Sequence, residues 1–242
     1  MEIVSNEGIV LRVLKYQESS VICDMYTREK GLRSYIVSGV RSTRSKSKTS
    51  VYQLMNILTF SAYDGNSEKL NRIKEANFAY LYHKLNFDVI RSSIGVFCLE
   101  LTRNSIKEQE SNPELYDFLI NWFKYVDSGE KLNFSLLPLK FAIDLTGYLG
   151  FFPLNNSDQV NFYFDLLDGE FYNSTNSKYC TDEESGELIS KLIKCQSSEL
   201  SDIHAPAALR KKTLKYILDY YSLHIPNFRE LKSIEVLATV LH

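Results

Sequence analysis

The sequence has few cysteines and no long apolar run. Its four cysteines are too sparse for a disulfide framework in a chain of 242 residues, so we expect reduced thiols at Cys23, Cys98, Cys180 and Cys195. No uninterrupted apolar run approaches the roughly 18 residues that a membrane-spanning helix needs. The first ten residues, MEIVSNEGIV, lack the basic stretch and apolar core of a secretory signal. We therefore expect a soluble, cytoplasmic protein that does not act in a membrane.

The short motifs that mark many enzymes are also missing. The chain has no phosphate-binding G-x-x-x-x-G-K-[ST] or G-x-G-x-x-G loop, no G-x-S-x-G elbow and no H-E-x-x-H helix. The histidines are scattered, and Cys180, Cys195 and His204 include no C-x-x-C pair to set tetrahedral metal geometry. These absences argue against an enzyme and against a metal or other cofactor, and a hydrolase has no positive support.

What the chain does have is an uneven charge. The formal net charge is −2, yet residues 1–50 contain nine Lys or Arg and five Asp or Glu. Subtraction from the totals of 28 and 30 leaves 19 basic and 25 acidic residues for the remainder. A basic N-terminal face can therefore exist in a protein that is acidic overall.

The first eighty residues have the composition of short β-strands. Stretches rich in Val, Ile, Leu and Tyr are separated by polar turns, and they cover residues 8–16, 19–27, 32–38, 52–64 and 70–78. Five strands are too few for a typical sandwich but suit a small barrel of the oligonucleotide/oligosaccharide-binding (OB) type.

From Leu81 the apolar period changes to that of a helix. A stripe from Leu81 to Leu101 predicts the first helix. Asn112 before Pro113 predicts the start of a second helix that Gly129 closes, and a third covers residues 136–149. Further helices are expected after a capping box at residues 181–184, from Pro206 to Pro226, and over residues 229–241.

Residues 161–173 differ from the helical surroundings. Asp168-Gly169 separates two aromatic-rich runs, which is a strong hairpin signal. The predicted fold is therefore α+β. An OB-fold domain covers residues 1–79, and a mainly helical domain covers residues 80–242 with a hairpin region at about 151–180.

One basic segment, SGVRSTRSKSKTS at residues 38–50, stands between two predicted strands. Its cations lie beside the groove in which OB-folds hold single strands, and cations of the preceding hairpin extend the patch. The predicted DNA-binding residues of this barrel are Arg28, Lys30, Arg33, Arg41, Arg44, Lys46 and Lys48.

Tyr26, Tyr35, Tyr52 and Tyr63 are interleaved with these cations. Phosphates need cations and bases need flat rings, so one interpretation is a surface for single-stranded nucleic acid. The other is a flexible, solvated loop with tyrosines that face the core. A second basic cluster, Arg210, Lys211 and Lys212, opens the helix after Pro206 and is also predicted to bind DNA. Three consecutive cations cannot all share one side of a helix.

The order of these features resembles the bacterial recombination mediator family RecO. The resemblance is carried by GIVLRVLKYQESSVICDMYTREKGLRSYIVSGVR near the start and by LTGYLGFFPL at residues 145–154. It continues in the closing LRKKTLKYILDYYSLHIPNFRELKSIEVL. It is collinear over nearly the whole chain.

The resemblance implies an OB-fold followed by a helical domain that together bind single- and double-stranded DNA. It implies annealing of complementary strands and help in loading the recombinase during recombinational gap repair, in association with the nucleoid. The implied protein partners are RecR and the acidic C-terminal tail of single-stranded DNA-binding protein. We expect this tail on the helical domain, with Arg91, Arg103 or Lys140 at the rim of its site.

The chain departs from the family at one place. Many members hold zinc through two C-x-x-C pairs just after the segment that resembles LTGYLGFFPL, whereas this chain has only Cys180 there. A different role also stays open, namely an adaptor that contains an OB-fold, binds protein partners and has little intrinsic DNA binding.

Overall fold

The fold comes from a computed structural model that describes residues 2–40, 46–64, 70–106, 110–158, 160–175 and 177–241. Chain contacts divide it into two compact units, Met1–Asn86 with Ile106–Ser128, and Phe87–Ser105 with Gly129–His242. The domain boundary after residue 79 stays a prediction. None of the helices in the described ranges combines the length and apolar character that crossing a membrane requires.

The first unit contains a closed barrel and two helices. Its strands are β1 (Glu2–Tyr16), β2 (Ser20–Thr27), β3 (Gly31–Val37), β4 (Ile57–Asp64) and β5 (Asn71–Tyr80), and its helices are α1 (Lys46–Val51) and α3 (Pro113–Ser128). The strands close in the order β1-β2-β3-β5-β4, with β3 and β5 parallel and the other pairs antiparallel. The five-stranded barrel predicted from the sequence is confirmed.

The second unit is mainly helical. It contains α2 (Val89–Ser105), α4 (Leu137–Tyr148), the hairpin strands β6 (Tyr163–Asp165) and β7 (Glu170–Tyr172), α5 (Glu183–Lys194), a 3-10 helix (Ser197–Asp202), α6 (Ala207–His224) and α7 (Ser233–Val240). The hairpin turns at Asp168-Gly169, as predicted, and Gly169 has the positive φ of 72° that this turn needs. The small hairpin within a helical unit is also confirmed.

Apolar side chains at alternate positions of the strands fill the interior of the barrel. The inward side chains of neighbouring strands form one apolar core that includes Val10, Cys23, Met25, Tyr35, Leu58, Phe60 and Ile73. Tyr35 packs edge-on against Phe60, with ring centroids 5.0 Å apart. Successive residues of a strand point to opposite sides, so the intervening positions face outward.

One carboxylate, that of Asp127, fastens helix α3 to the chain segment that follows the barrel. Asp127 Oδ1 accepts backbone N–H bonds from Lys84 at 2.8 Å and Leu85 at 2.7 Å, and its carboxylate also accepts from the His83 N–H and the Tyr80 hydroxyl. Burial opposes ionisation, but these donors outweigh it and lower the pKa of Asp127.

Several sequence predictions are wrong at element boundaries. Helix α2 begins at Val89 rather than Leu81, because residues 83–85 turn to donate to Asp127; Leu81 is 64% exposed. Helix α5 is capped by Asp182, whose side chain accepts from the Ser185 N–H. The Thr181 hydroxyl, which we expected in a capping box, instead accepts from the Phe164 N–H.

The predicted start of the last helix is also wrong. Helix α7 begins at Ser233 instead of Arg229. The Glu100 carboxylate accepts the backbone N–H groups of Lys232 and Ser233, at 3.1 and 2.8 Å, and so fixes the point at which the helix starts. A carboxylate more than 130 residues away in the sequence gives no local signal for this boundary.

Helix α5 lies directly against the hairpin because one of its residues lacks a side chain. An added Cβ on Gly186 would overlap the carbonyl oxygen of Phe162, which is backbone and cannot rotate away. The same Cβ would lie 3.1 Å from the Thr181 hydroxyl oxygen. Close packing of α5 on the hairpin therefore requires glycine at this position.

The Asp127→Asn variant should lose about 1.5–3 kcal/mol of unfolding free energy in urea titration, because a neutral amide is a weaker acceptor for the N–H groups at residues 83–85. The pKa of Asp127 is lowered in the folded state, so the stability that its charge contributes is present above about pH 4 and is lost as the pH falls further. The variant should thus lose less stability on acidification than the wild type. The exposed Glu114→Gln on the same helix is the control, and equal losses in both variants would contradict this role.

The Gly186→Ala variant should be destabilised by about 1–3 kcal/mol or more, since either α5 or the hairpin must move to relieve the overlap with Phe162. Thermal and urea unfolding measure the loss. The neighbouring Glu187→Ala removes only an exposed pair with Lys191 and should change stability by less than about 1 kcal/mol. Equal stability of Gly186→Ala and the wild type would show that the close approach is not required.

Candidate nucleic-acid interface

The cations of the β2–β3 hairpin are only partly available to a ligand. Arg28 forms a two-pronged ion pair with Asp117 of α3, with Nε–Oδ1 at 3.1 Å and Nη2–Oδ2 at 2.9 Å, and this pairing lowers the pKa of Asp117. Lys30 and Arg33 are half-buried, and the Arg33 Nη1 donates to the Leu32 carbonyl at 2.9 Å. A role of these three residues in DNA binding stays a prediction, and for Arg28 it competes with an existing partner.

The basic segment is not wholly a loop. Arg41 and Arg44 lie outside the described residues, whereas Lys46 and Lys48 belong to the backbone of α1. The expectation of a loop over residues 38–50 is therefore wrong for residues 46–50. The C-terminal half of this helix is tied to the chain on either side of it, because the Thr49 hydroxyl donates to the Val40 carbonyl and the Asn56 amide donates to the carbonyls of Ser50 and Val51.

Three of the four interleaved tyrosines are not available for stacking on bases. Tyr26, Tyr35 and Tyr52 are at most 8% exposed, and burial raises the pKa of Tyr26 and of Tyr52 to about 12. The prediction of a stacking surface from these three is wrong, because their rings are buried. Tyr63 alternates with the buried Ala62 and is partly exposed on the outside of the barrel.

The three cations of the second basic cluster have different surroundings. Arg210 donates to the carbonyls of Ala205 at 2.7 Å and Leu241 at 3.3 Å, and Lys212 pairs with Asp182 at 3.0 Å. Lys211 is exposed, with no ion pair to the described residues. Arg210 and Lys212 thus already contact other residues of the second unit, and Lys211 is the member best placed to meet a ligand. DNA binding by all three stays a prediction.

Sequence reasoning missed other cations of the barrel. Arg72 and Lys74 on β5 and Lys15 near the end of β1 are exposed. Among the described residues, none of the three has an ion pair, in contrast to Arg12, which pairs with Asp24 at 2.7 Å. Alternation in the segment NRIKE, where Ile73 faces the core, was the signal that could have placed Arg72 on the surface.

In the hairpin region the Asp165 carboxylate accepts several hydrogen bonds. Asp165 Oδ1 accepts the N–H groups of Leu167 and Asp168, at 2.7 and 3.1 Å, and the Cys180 thiol lies 3.5 Å from Oδ2. Burial opposes ionisation of Asp165, but hydrogen bonds from Ser177 and the turn outweigh it and lower its pKa. In the described part of the chain, no group of three or more His, Cys, Asp or Glu side chains is placed to hold a metal ion. The donor set therefore does not fit the four-ligand zinc site of the family.

Comparison with known proteins extends this description. Residues 1–82 match the family described as Recombination protein O N terminal, and residues 86–233 match Recombination protein O C terminal. The chain belongs to the RecO family. The DNA repair protein RecO of Christiangramia forsetii is 33% identical over 237 residues, which cover 97% of this chain and 98% of the relative. That of Flavobacterium psychrophilum is 33% identical over 242 residues, covering 98% of each chain. The resemblance recognised in the sequence is thus confirmed over nearly the full length.

The protein should contain no structural zinc, because Cys180 has no second thiol close enough to complete a RecO-type site. Elemental analysis of the purified protein should find far less than one zinc per chain, and a chelator should leave its melting temperature unchanged. One zinc per chain that resists dialysis, or unfolding induced by the chelator, would contradict the prediction.

Proposed function

We propose that this protein is a recombination mediator, which binds single- and double-stranded DNA, anneals complementary strands and helps to load the recombinase during gap repair. The observation that carries the proposal is the match of both RecO family models, in order, to the barrel and the helical part of the chain. Exposed cations on the barrel give the chemistry that phosphate binding needs. The proposed role is one of binding rather than catalysis and belongs in the cytoplasm, at the nucleoid.

A second function is favoured by specific contacts. Arg28, Arg210 and Lys212 already have partners within the protein, and three of the four expected stacking tyrosines are buried. These contacts favour an adaptor that binds proteins and has little intrinsic affinity for DNA. The two functions differ in one measurable property, which is the salt-dependent binding of naked DNA.

The mediator should bind single-stranded DNA with little sequence preference. If the basic residues neutralise about five phosphates, log K should fall with log[salt] at a slope of roughly −3 to −4. Fluorescence anisotropy at several salt concentrations measures the slope. Replacing Arg41, Arg44, Lys46 and Lys48 by Ala should flatten it without loss of folded structure. Absence of binding at low salt, or a slope near zero, would favour the adaptor.

The proposed protein partners are RecR and the C-terminal tail of single-stranded DNA-binding protein. We place the tail on the helical part, since the cations of the barrel are then free for DNA. Two of the three expected rim residues do not fit this role. Arg91 is 7% exposed, donates to the Gly129 carbonyl and lies over the Phe134 ring, and Lys140 is 5% exposed and pairs with Asp144 at 2.6 Å. Arg103 remains as a half-buried candidate.

A peptide with the sequence of this tail should still bind after the four cations of the basic segment are replaced by Ala, because its site is separate from the DNA site. Calorimetric titration of the wild type and the variant measures both affinities. The variant should retain the affinity of the wild type for the peptide within about twofold while it loses DNA affinity. If peptide and DNA binding are lost together, the two ligands share one site and the assignment of the tail to the helical part is wrong.

A further inference from the structure

The register of the barrel brings three outward side chains side by side. Tyr63 of β4 pairs with Arg72 of β5, and Arg72 pairs with Ile36 of β3. All three alternate with residues of the apolar core, which are Ala62, Ile73 and Tyr35, so they point away from it. Directly paired residues on neighbouring strands lie about 5 Å apart, so a cation stands between a ring and an aliphatic side chain.

Arg72 differs from the other arginines of the barrel in having no internal partner among the described residues. Arg12 is held by Asp24, Arg28 by Asp117, and Arg33 by the carbonyl of Leu32. The Arg72 guanidinium is exposed, and Lys74 follows it at a bulge in β5. A free guanidinium presents paired N–H donors that match a phosphate.

The position of Arg72 within the topology is also informative. Ile36 is the residue before the last of β3, from which the chain continues into the basic segment 38–50. Tyr63 and Arg72 flank the connection between β4 and β5. OB-folds bind oligonucleotides through the face of strands 2 and 3 and through the connections between strands 1 and 2 and between strands 4 and 5. One of these connections, that between β4 and β5, therefore leaves the barrel beside Arg72, and the basic segment follows β3 close to it.

We propose that Tyr63 and Arg72 form a contact site for single-stranded DNA on the outside of the barrel. Arg72 binds a backbone phosphate, the Tyr63 ring stacks on a base, and Ile36 packs against the neighbouring sugar or base. This proposal rests on the proposed DNA-binding function and specifies where a base is held. It also explains how the barrel can hold a base although Tyr26, Tyr35 and Tyr52 are buried.

A protein ligand is the main competing occupant. The outward row continues from Ile36 to Ile22 and Leu14, which are partly exposed aliphatic residues that would suit a protein segment. At the other end of the row, Arg72 has no ion pair with the described residues and the Tyr63 ring is partly exposed. These two side chains favour DNA, because base stacking needs a flat ring and the phosphate needs a positive charge. The experiments below separate the two occupants.

The first test uses Arg72→Gln and Tyr63→Leu, with an exposed Arg229→Gln and Tyr172→Leu in the second unit as matched controls. Arg72→Gln should reduce the magnitude of the salt slope by about 0.7, the value for one phosphate contact with a single strand. Tyr63→Leu should weaken binding of single-stranded DNA by roughly 5- to 150-fold, as expected for one stacked base. The controls should bind as the wild type does, and circular dichroism should show that all four variants are folded.

The second test locates the base directly. An oligonucleotide that contains 5-iodouracil is irradiated on the wild-type protein, and the crosslinked peptide is identified by mass spectrometry. The proposal predicts a crosslink at Tyr63 that high salt removes. A crosslink confined to other residues would overturn it.

The outcomes distinguish this site from the broader function. If the wild type binds no DNA at low salt, the proposed function fails. If the wild type binds with the expected slope but Arg72→Gln and Tyr63→Leu match their controls, only this site is overturned. A protein segment is then the better occupant of the row.

Discussion

Closure of the barrel at Gly8 is the constraint on which the other features of the first unit depend. Gly8 pairs with Thr27 of β2 and with Leu58 of β4, so β1 changes partners at this residue. An added Cβ would lie 3.1 Å from the Tyr26 carbonyl oxygen and 3.1 Å from the Thr27 methyl group, which leaves little space for a side chain. With β1 shared between two strands, the registers of β2 and of β4 are both set relative to it. A shift by one residue would exchange the core and the surface of the barrel.

This register determines which polar residues stabilise the fold and which face a ligand. Asp127 and the Arg28–Asp117 pair fasten α3 within the first unit. Their charges therefore already have partners within the protein. In the second unit, Lys212 pairs with Asp182 and Arg210 donates to the Ala205 carbonyl, so these cations also have partners within the protein. The cations left for the proposed contact with DNA are fewer than the basic composition of the N-terminal segment suggests. Their spacing is set by the strands rather than by the sequence order.

Features with local signals could be predicted from the sequence. The Asp168-Gly169 turn and the cap of α3, where the Asn112 side chain accepts from the Leu115 N–H, depend on neighbouring residues alone. Tyr26 and Tyr63 look alike in the sequence, yet one is buried and the other is partly exposed, because long-range packing decides their environments. The Asp127 contacts also join residues more than forty positions apart, and so no local pattern could reveal them.

The central claim is that single-stranded DNA contacts the outside of the barrel where β3, β4 and β5 meet. Hydrogen–deuterium exchange measured with and without a short oligonucleotide tests this claim most directly, because it reads every backbone segment at once. The account predicts slower exchange on DNA binding in peptides that contain Ile36, Tyr63 and Arg72, with no change around the buried ring of Tyr26. Protection confined to α6, or no protection in the barrel under conditions where DNA is bound, would contradict it.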